Sequence, residues 1–329
     1  MNRFKTIMLR GILAAAVTVG FLAAPHPASA QKYPDKPVRV ILPFGAGGVA
    51  DVSARILADK LSTKLGQKFF VENMPGAGGI TAARTVIAAP PDGYTLGFVT
   101  NGTSISVAIF NHLPFDPIKQ FDMISTIGTF NLVFAVKADS PYKTLGDFIK
   151  AAQAQPGKLN IGTINVGGTQ NLGGELFKAM AKLNVVIVPF KNSPDIVAAL
   201  LRNDVQMQVD FQPAVQGQLN AHKVRVIATS GPKRSPFLPD VPTADEAGVK
   251  GYEVTSWNGI FAPHGTPKAV IDTLNKAIRD VTADPDLKAK FAKVGIDASA
   301  STPDELMGRV KADITKWSKV IADAHISKK

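Results

Sequence analysis

The chain predicts an α/β fold of mostly parallel sheets flanked by helices, and three observations carry that expectation. A short β-branched run leads into a glycine-rich bend and then into a helix-period segment, and the unit recurs. A second alternating series starts after a long β-prone stretch over 124–136, interrupted at Gly128 and near Asn131, which reads as the passage from one domain to the next. A later extended stretch, 253–262, reads as the return crossing. Strands that alternate with helices make βαβ units, whose sheet is covered on both faces.

The first strand is Val38–Leu42, ended by Pro43. Phe44-Gly45-Ala46-Gly47-Gly48 forms the first bend, and a helical period runs on from Val52. Phe69–Asn73 is a second strand, Met74-Pro75-Gly76-Ala77-Gly78-Gly79 a second bend, and 80–88 a second helix. Pro90-Pro91-Asp92-Gly93 turns the chain into a third strand over 94–100. Asn101-Gly102-Thr103-Ser104 ends it, with Ser104 the expected cap of a short helix through Phe110. The segment 116–122 reads as a loop.

In the second series Thr144 caps the helix Leu145–Ala154, with Asp147 as its capping-box partner. A strand over 160–163 enters a third bend, Asn165-Val166-Gly167-Gly168-Thr169-Gln170-Asn171, and a helix over 172–181. Strands at 185–188, 205–211 and 224–229 alternate with helices at 195–201 and 215–221, the first of these capped by Ser193 ahead of Pro194. Residues 230–249 are a proline-rich surface loop with a short helix near Asp245. Thr266-Pro267 opens a helix whose Val270, Leu274, Ile278 and Val281 share a face. Thr302-Pro303, with Glu305 completing the box, opens the last helix, striped by Val310, Ile314, Trp317 and Ile321.

The first 30 residues stand apart. Arg3, Lys5 and Arg10 precede an apolar run from Gly11 to Ala24 and an Ala28-Ser29-Ala30 cleavage site, the pattern of a secretory signal peptide. Its apolar run is shorter than the roughly 20 residues a membrane span needs. A net charge of +11 is spread along the chain without a dense basic, aromatic-interleaved tract, which argues against nucleic acid. Cysteine is absent, which removes disulfides, thiolate nucleophiles, thiolate metal sites and a lipidated N-terminal cysteine.

A bend between strand and helix presents backbone N–H groups at a helix N-terminus, where the dipole favours negative charge. In a parallel sheet such bends open at the carboxyl edge of the strands and face one cavity, so two of them suggest an anion site. Gly45-Ala46-Gly47-Gly48-Val49-Ala50 fits G-x-G-x-x-A, and Glu72 stands where a ribose-binding acid would lie. An exported chain and a second glycine bend both count against a dinucleotide, and no phosphate-loop motif occurs. A hydrolase elbow G-x-S-x-G is missing too, and His112, His222, His264 and His325 lack metal-ligand spacing. No catalytic residue, metal or cofactor is therefore expected. Asp51 reads as an acceptor for the bend's N–H groups or a helix cap. Gly45–Gly48, Gly76–Gly79 and Gly167–Gly168, with Thr103, Ser104 and Thr169, make a set of neutral donors suited to carboxylate.

From Tyr33 to the C-terminus the chain resembles the periplasmic solute-binding proteins of tripartite tricarboxylate transporters, the Bug family. Tyr33-Pro-Asp-Lys-Pro-Val-Arg-Val-Ile-Leu-Pro-Phe, Gly47-Gly48 with Asp51, Asn73-Met-Pro-Gly-Ala-Gly-Gly and Pro91-Asp-Gly-Tyr-Thr-Leu carry the likeness. So do Val188-Pro-Phe-Lys, Pro239-Asp-Val-Pro-Thr-Ala-Asp-Glu-Ala-Gly, Trp257 and Phe261-Ala-Pro-His-Gly-Thr-Pro. The resemblance implies a two-lobed, type II-like Venus flytrap of the periplasmic-binding-protein fold, its lobes joined by two crossing strands. Residues 31–132 with 256–329 would form one lobe and 133–255 the other. It further implies a non-enzymatic, monomeric receptor that passes a di- or tricarboxylate, aromatic acid or acidic amino acid to a membrane permease. An exported enzyme on a small organic acid, or a sensor subunit using the same pocket, are the other readings. Ligand contacts are expected from Phe44, Ala46, Gly47, Gly48, Asp51, Gly76, Ala77, Gly78, Gly79, Asn101, Thr103, Ser104, Asn165, Gly168, Thr169 and Asp210. The chain departs from the family pattern at Phe44-Gly-Ala-Gly-Gly, where proline commonly follows the aromatic residue, and at Gln170-Asn171, where serine-histidine is frequent.

Overall fold

The computed structural model describes residues 33–164 and 166–328; the expected leader and Asn165 lie outside the described residues. Residues Lys36–Lys329 group as one compact unit. In it β1 (Val38–Leu42), α1 (Val49–Leu65), β2 (Phe69–Asn73), a short 3-10 turn (Ala77–Gly79), α2 (Ile80–Ile87) and β3 (Thr95–Thr100) follow one another. Then come α3 (Asn101–Ile109), α4 (Pro117–Gln120), β4 (Phe121–Lys137), α5 (Leu145–Ala154), β5 (Asn160–Ile164) and α6 (Thr169–Met180). The middle of the chain gives β6 (Val186–Phe190), α7 (Ser193–Arg202), β7 (Met207–Phe211), α8 (Gln212–Asn220) and β8 (Val224–Thr229). It closes with β9 (Thr255–Pro263), α9 (Lys268–Ala283), α10 (Pro285–Ala292), β10 (Asp297–Ala298) and α11 (Pro303–Asp323).

The strands form two series with the same internal order. β2, β1 and β3 are parallel, and β3 continues antiparallel to β9 and then β4. β6, β5 and β7 are likewise parallel, and β7 continues antiparallel to β4, which carries β8 on its other side. β4 belongs to both series. Its residues Phe121–Asn131 pair with β9 and Leu132–Lys137 with β7 and β8, so its 17 residues cross between them. The interruption expected at Gly128 is a register shift inside one continuous strand, which lets β4 twist without ending. At the crossing, Ser230 N–H donates to Leu132 O, the Ser230 hydroxyl accepts Leu132 N–H and donates to Val254 O, and Val254 N–H bonds back to Ser230 O. Both crossing strands are thus tied to one serine.

The apolar core follows this plan only in part. Ile41, Val86, Val99, Phe121, Trp257 and Phe261 pack in the first series, and Val133, Leu200, Val205 and Val226 in the second. The largest cluster joins Phe134, Phe148, Phe177 and Tyr252 of the second series to Ile105 and Ile109 of α3 and Trp317 and Ile321 of α11.

Several local expectations move. The cap after β3 is Thr100, not Ser104: its hydroxyl accepts Gly102 N–H, Thr103 completes the box, and α3 starts four residues earlier than a Ser104 cap implies. Asn192, not Ser193, caps α7, because the asparagine reaches Asp195 N–H while the serine is already helical. The loop over 116–122 holds the short helix α4, capped by Asp116. No helix forms near Asp245; its carboxylate takes Gly251 N–H, and Thr243 and Glu246 close hydrogen-bonded turns instead. Helix α10, opened by Asp284 ahead of Pro285, and the two-residue strand β10 are not among the expected elements.

Candidate anion-binding site

Each glycine bend is built by a specific backbone need. Gly47 has φ +87°, a left-handed conformation that costs an L side chain about 1 kcal/mol or more. Gly48 then returns to extended backbone and starts α1 as a cap residue without a side chain. The bend is held from inside by Asp51, 3% exposed, whose Oδ2 accepts Gly47 N–H at 2.9 Å. Asn73, at the end of β2, donates to Asp51 Oδ1 at 2.8 Å and to Phe44 O at 3.0 Å. Arg55 Nε bridges both Asp51 oxygens at 3.1 Å, and its NH2 group reaches Asn73 Oδ1 at 2.7 Å. Burial opposes ionisation of Asp51, but the hydrogen bonds from Arg55, Gly47 N–H and Asn73 prevail and hold its carboxyl below the usual range.

The third bend repeats this construction. Gly167 has φ +81°, Gly168 is an extended cap without a side chain, and Asn171 Oδ1 accepts Gly167 N–H at 3.0 Å. The second bend differs, with Gly78 and Gly79 both left-handed and Gly79 N–H closing a turn onto Gly76 O. A Cβ at Gly78 would run into the Phe110 ring, one at Gly79 would press on Pro43, and one at Gly167 would run into Ile109 Cδ1. The C-terminal end of α3 therefore sits between the second and third bends, and Pro43 abuts the second. The second bend thus neighbours the first through Pro43 and the third through the end of α3.

Their helices start without a side-chain cap at Gly48, Gly79 and Gly168, as do α8 at Phe211 and α9 at Pro267, whereas Thr100, Thr144, Asn192, Asp284 and Thr302 cap theirs. The first N–H groups of a helix have no partner within it, so the starts of α1 and α6 are donor sets open to an outside acceptor, whereas at α2 the preceding turn already takes the N–H groups of Gly79 and Ile80. Asn101 links the halves: its Nδ2 donates to Thr169 Oγ1 at 2.9 Å, and its Oδ1 accepts from Ser256 of β9 at 2.8 Å, all buried. Ser104 is wholly buried and donates to Val310 O of α11. Thr103, with Gly78 and Gly79, borders an apolar recess of about 20 Å³ lined deeper by Phe98, Phe115, Phe121 and Phe261.

Asp210, at the end of β7, is 1% exposed. It accepts Phe211 N–H at 2.8 Å, Gln170 Nε2 at 3.1 Å and Gln208 Nε2 at 3.2 Å. Burial pushes its carboxyl up, against the bonds from Ser193, Gln170, Phe211 N–H and Gln208. A much larger concavity, about 660 Å³, lies away from the bends, where Phe130, Asn131 and Thr255 of the crossing strands meet Arg309 and Asp313 of α11. Among the described residues no cluster of three or more His, Cys, Asp or Glu is placed to hold a metal.

The structure gathers Phe44, Ala46, Gly47 and Gly48 in the first bend, Gly76, Ala77, Gly78 and Gly79 in the second, and Gly168 and Thr169 in the third. Asn101 and Thr103 join them through the first turn of α3. Asp51 and Ser104 are turned to holding the protein together, and Asp210 belongs to a buried amide cluster. Sequence reasoning missed Asn73, Gln170 and Asn171 as builders of the site. The shared spacing Gly-Gly-x-x-Asp at 47–51 and Gly-Gly-x-x-Asn at 167–171 was the available signal.

Twice-crossed sheets with uncapped helix starts at the strand ends of both halves define the fold class of the periplasmic binding proteins, shared by solved structures. The adipate-bound Rpa4515 of R. palustris has a TM-score of 0.80 and 31% identity, covering 90% of this chain and 100% of its own. MatC (Rpa3494) from Rhodopseudomonas palustris, with bound malate, has a TM-score of 0.74 and 30% identity, covering 88% and 100%. A curated relative, the UPF0065 protein in the tcbD-tcbE intergenic region of Pseudomonas sp. (strain P51), is 32% identical over 90% of this chain and 88% of its own. The model of the tripartite tricarboxylate transporter family receptors matches residues 53–326, and the chain belongs to that family.

Proposed function

We propose that the protein is a periplasmic, monomeric, non-enzymatic receptor that holds a small organic carboxylate and delivers it to the permease subunits of a tripartite tricarboxylate-type transporter. The observation that carries the reading is the pair of matched, uncapped glycine starts at α1 and α6, joined through Asn101 and Thr169. A carboxylate accepts several N–H bonds at once, and a helix N-terminus favours its charge. The relatives with adipate and malate bound support this class of ligand.

In this reading residues 31–132 with 256–329 form one lobe and 133–255 the other, and the lobes turn about the β4 and β9 crossings beside Ser230. Closure follows only from contacts made in the closed form alone. Phe44, Ala46, Gly47, Gly48, Gly76, Ala77, Gly78, Gly79 and Thr103 would meet the acid from the first lobe, and Asn165, Gly168 and Thr169 from the second. Asp51 would keep the first bend in shape.

The test is a thermal-shift screen over mono-, di- and tricarboxylates and acidic amino acids, followed by titration calorimetry. A true ligand at 100 times its Kd adds about 2.7 kcal/mol of stability. Thr169→Val is expected to weaken binding about tenfold, the loss of one good hydrogen bond, while the protein still folds. Unchanged affinity removes Thr169 from the site. Ligand recovered intact after prolonged incubation marks a receptor; a changed ligand marks an enzyme.

A further inference from the structure

The bends carry more than donors. Four large hydrophobic side chains are exposed among the described residues: Phe44 (40%), Phe70 (41%), Val166 (47%) and Val186 (47%). Phe70 and Val186 lie on β2 and β6, the outermost strands of the two series, where an apolar residue on an open edge is ordinary. Phe44 and Val166 have no such explanation. They occupy the first and the third bend, Phe44 four residues before the α1 cap Gly48 and Val166 two before the α6 cap Gly168.

Packing brings these two bends toward each other. Gly167 lies against Ile109, Phe110 against Gly78, and Gly79 against Pro43, so one run of van der Waals neighbours leads from the residue beside Val166 to the residue beside Phe44. Beside the second bend opens a small recess of about 20 Å³, bordered by Pro43, Gly78, Gly79 and Thr103 and walled by phenylalanines. That volume takes one methyl or methylene group, or a single water, and its lining is apolar. An acid with several hydroxyls would leave them unpaired against such walls, at a cost of about 1–3 kcal/mol for each one buried. An alkyl chain or ring gains instead, at about 0.8 kcal/mol per buried CH₂.

From this juxtaposition we infer that the acid recognised has a hydrocarbon body, an alkyl chain or a ring, which lies against Phe44 and Val166 while its carboxylate meets the bends. Polyhydroxy acids are disfavoured. The inference rests on the carboxylate reading above and narrows it.

Matched pairs of acids test it with the full chain. Adipate and galactarate have the same carbon count and charge and differ in four hydroxyls; hexanoate and gluconate make the corresponding monoacid pair. Calorimetry is expected to show that, in each pair that binds, the hydrocarbon member binds about tenfold or more tighter than its partner. Phe44→Ser and Val166→Ser, both at exposed positions, should leave thermal unfolding unchanged and shrink that preference to about threefold or less. Equal or tighter binding of galactarate or gluconate overturns the inference, as does a preference that survives both substitutions. If no acid of the wider carboxylate screen binds, the carboxylate reading itself fails; if only hydroxylated acids bind there, this inference alone fails.

Discussion

The first and third bends are two copies of one device with different electrostatics. Gly47 and Gly167 share a left-handed φ, Gly48 and Gly168 the same extended cap, and a side chain four residues on accepts the first glycine's N–H in both. In the first bend that side chain is an aspartate, in the third an asparagine. The difference follows from the surroundings. Asp51 meets Arg55, half exposed and able to carry the counter-charge, and Asn73 donates as well. Asn171 is 3% exposed, and its amide donates to the buried Thr163 hydroxyl. With no basic side chain bonded to it among the described residues, a neutral acceptor avoids the desolvation that a charge would suffer. The same loop shape is thus reached by a charged network at one end and a neutral one at the other.

The comparison breaks most visibly if the third bend is given the first one's residue. Asn171→Asp should cost about 3 kcal/mol at neutral pH, the scale for an uncompensated buried charge. Burial would raise the new carboxyl's pKa, so the penalty is full above that value and relieved as pH falls below it. Urea unfolding near neutral and mildly acid pH measures this; an equal loss at both defeats the electrostatic account.

A smaller asymmetry lies in the glycines. Gly47→Ala is expected to cost about 1 kcal/mol, for the left-handed backbone alone, since a Cβ there meets nothing within 4 Å. Gly167→Ala should cost about 2 kcal/mol or more, because its Cβ must also displace Ile109. Denaturation midpoints that fall together for both variants would separate Ile109 from the third bend.

Asp51→Asn should cost about 1–2 kcal/mol at neutral pH, as a charge-assisted network becomes a neutral one. The folded-state pKa of Asp51 is lowered, so its contribution is fully present above the unfolded value of about 3.9 and is lost as pH falls through the folded value. The variant should accordingly lose less stability than the native protein over that acid window. Parallel acid-unfolding curves would contradict it.

The gentlest change tests the open donors. Gly48 has φ −78°, a conformation any residue adopts, and room for a Cβ. Gly48→Ser supplies α1 with a side-chain cap and should raise stability by a few tenths of a kcal/mol. Carboxylate affinity should drop, because the new hydroxyl takes an N–H that the ligand needs. Tighter binding in this variant would mean that the α1 start does not meet the acid.

Much of this was legible in the residues. β-Branched runs ending in glycine placed β1, β2 and β5, and hydroxyl–acid pairs three apart placed the starts of α5 and α11. Where two cap candidates stood within about a turn of each other, at Thr100 with Ser104 and at Asn192 with Ser193, the pattern pointed to the wrong one, since local propensity ranks both nearly alike. The first and second bends were recognisable as donor sets because glycine pairs between a strand and a helix have few other uses. Ser104 looked like a further donor, yet α11 returns more than 200 residues later to supply Val310 O as its acceptor.

Local stereochemistry, written in neighbouring residues, determined by itself where the chain turns and where its backbone donors stand uncapped. Which of those donors share a site, which carboxylate supports a bend, and where the strand β4 changes partners were decided by the tertiary structure. Each depends on contacts between residues far apart in the chain, and burial and charge at such contacts have no meaning until the two segments meet.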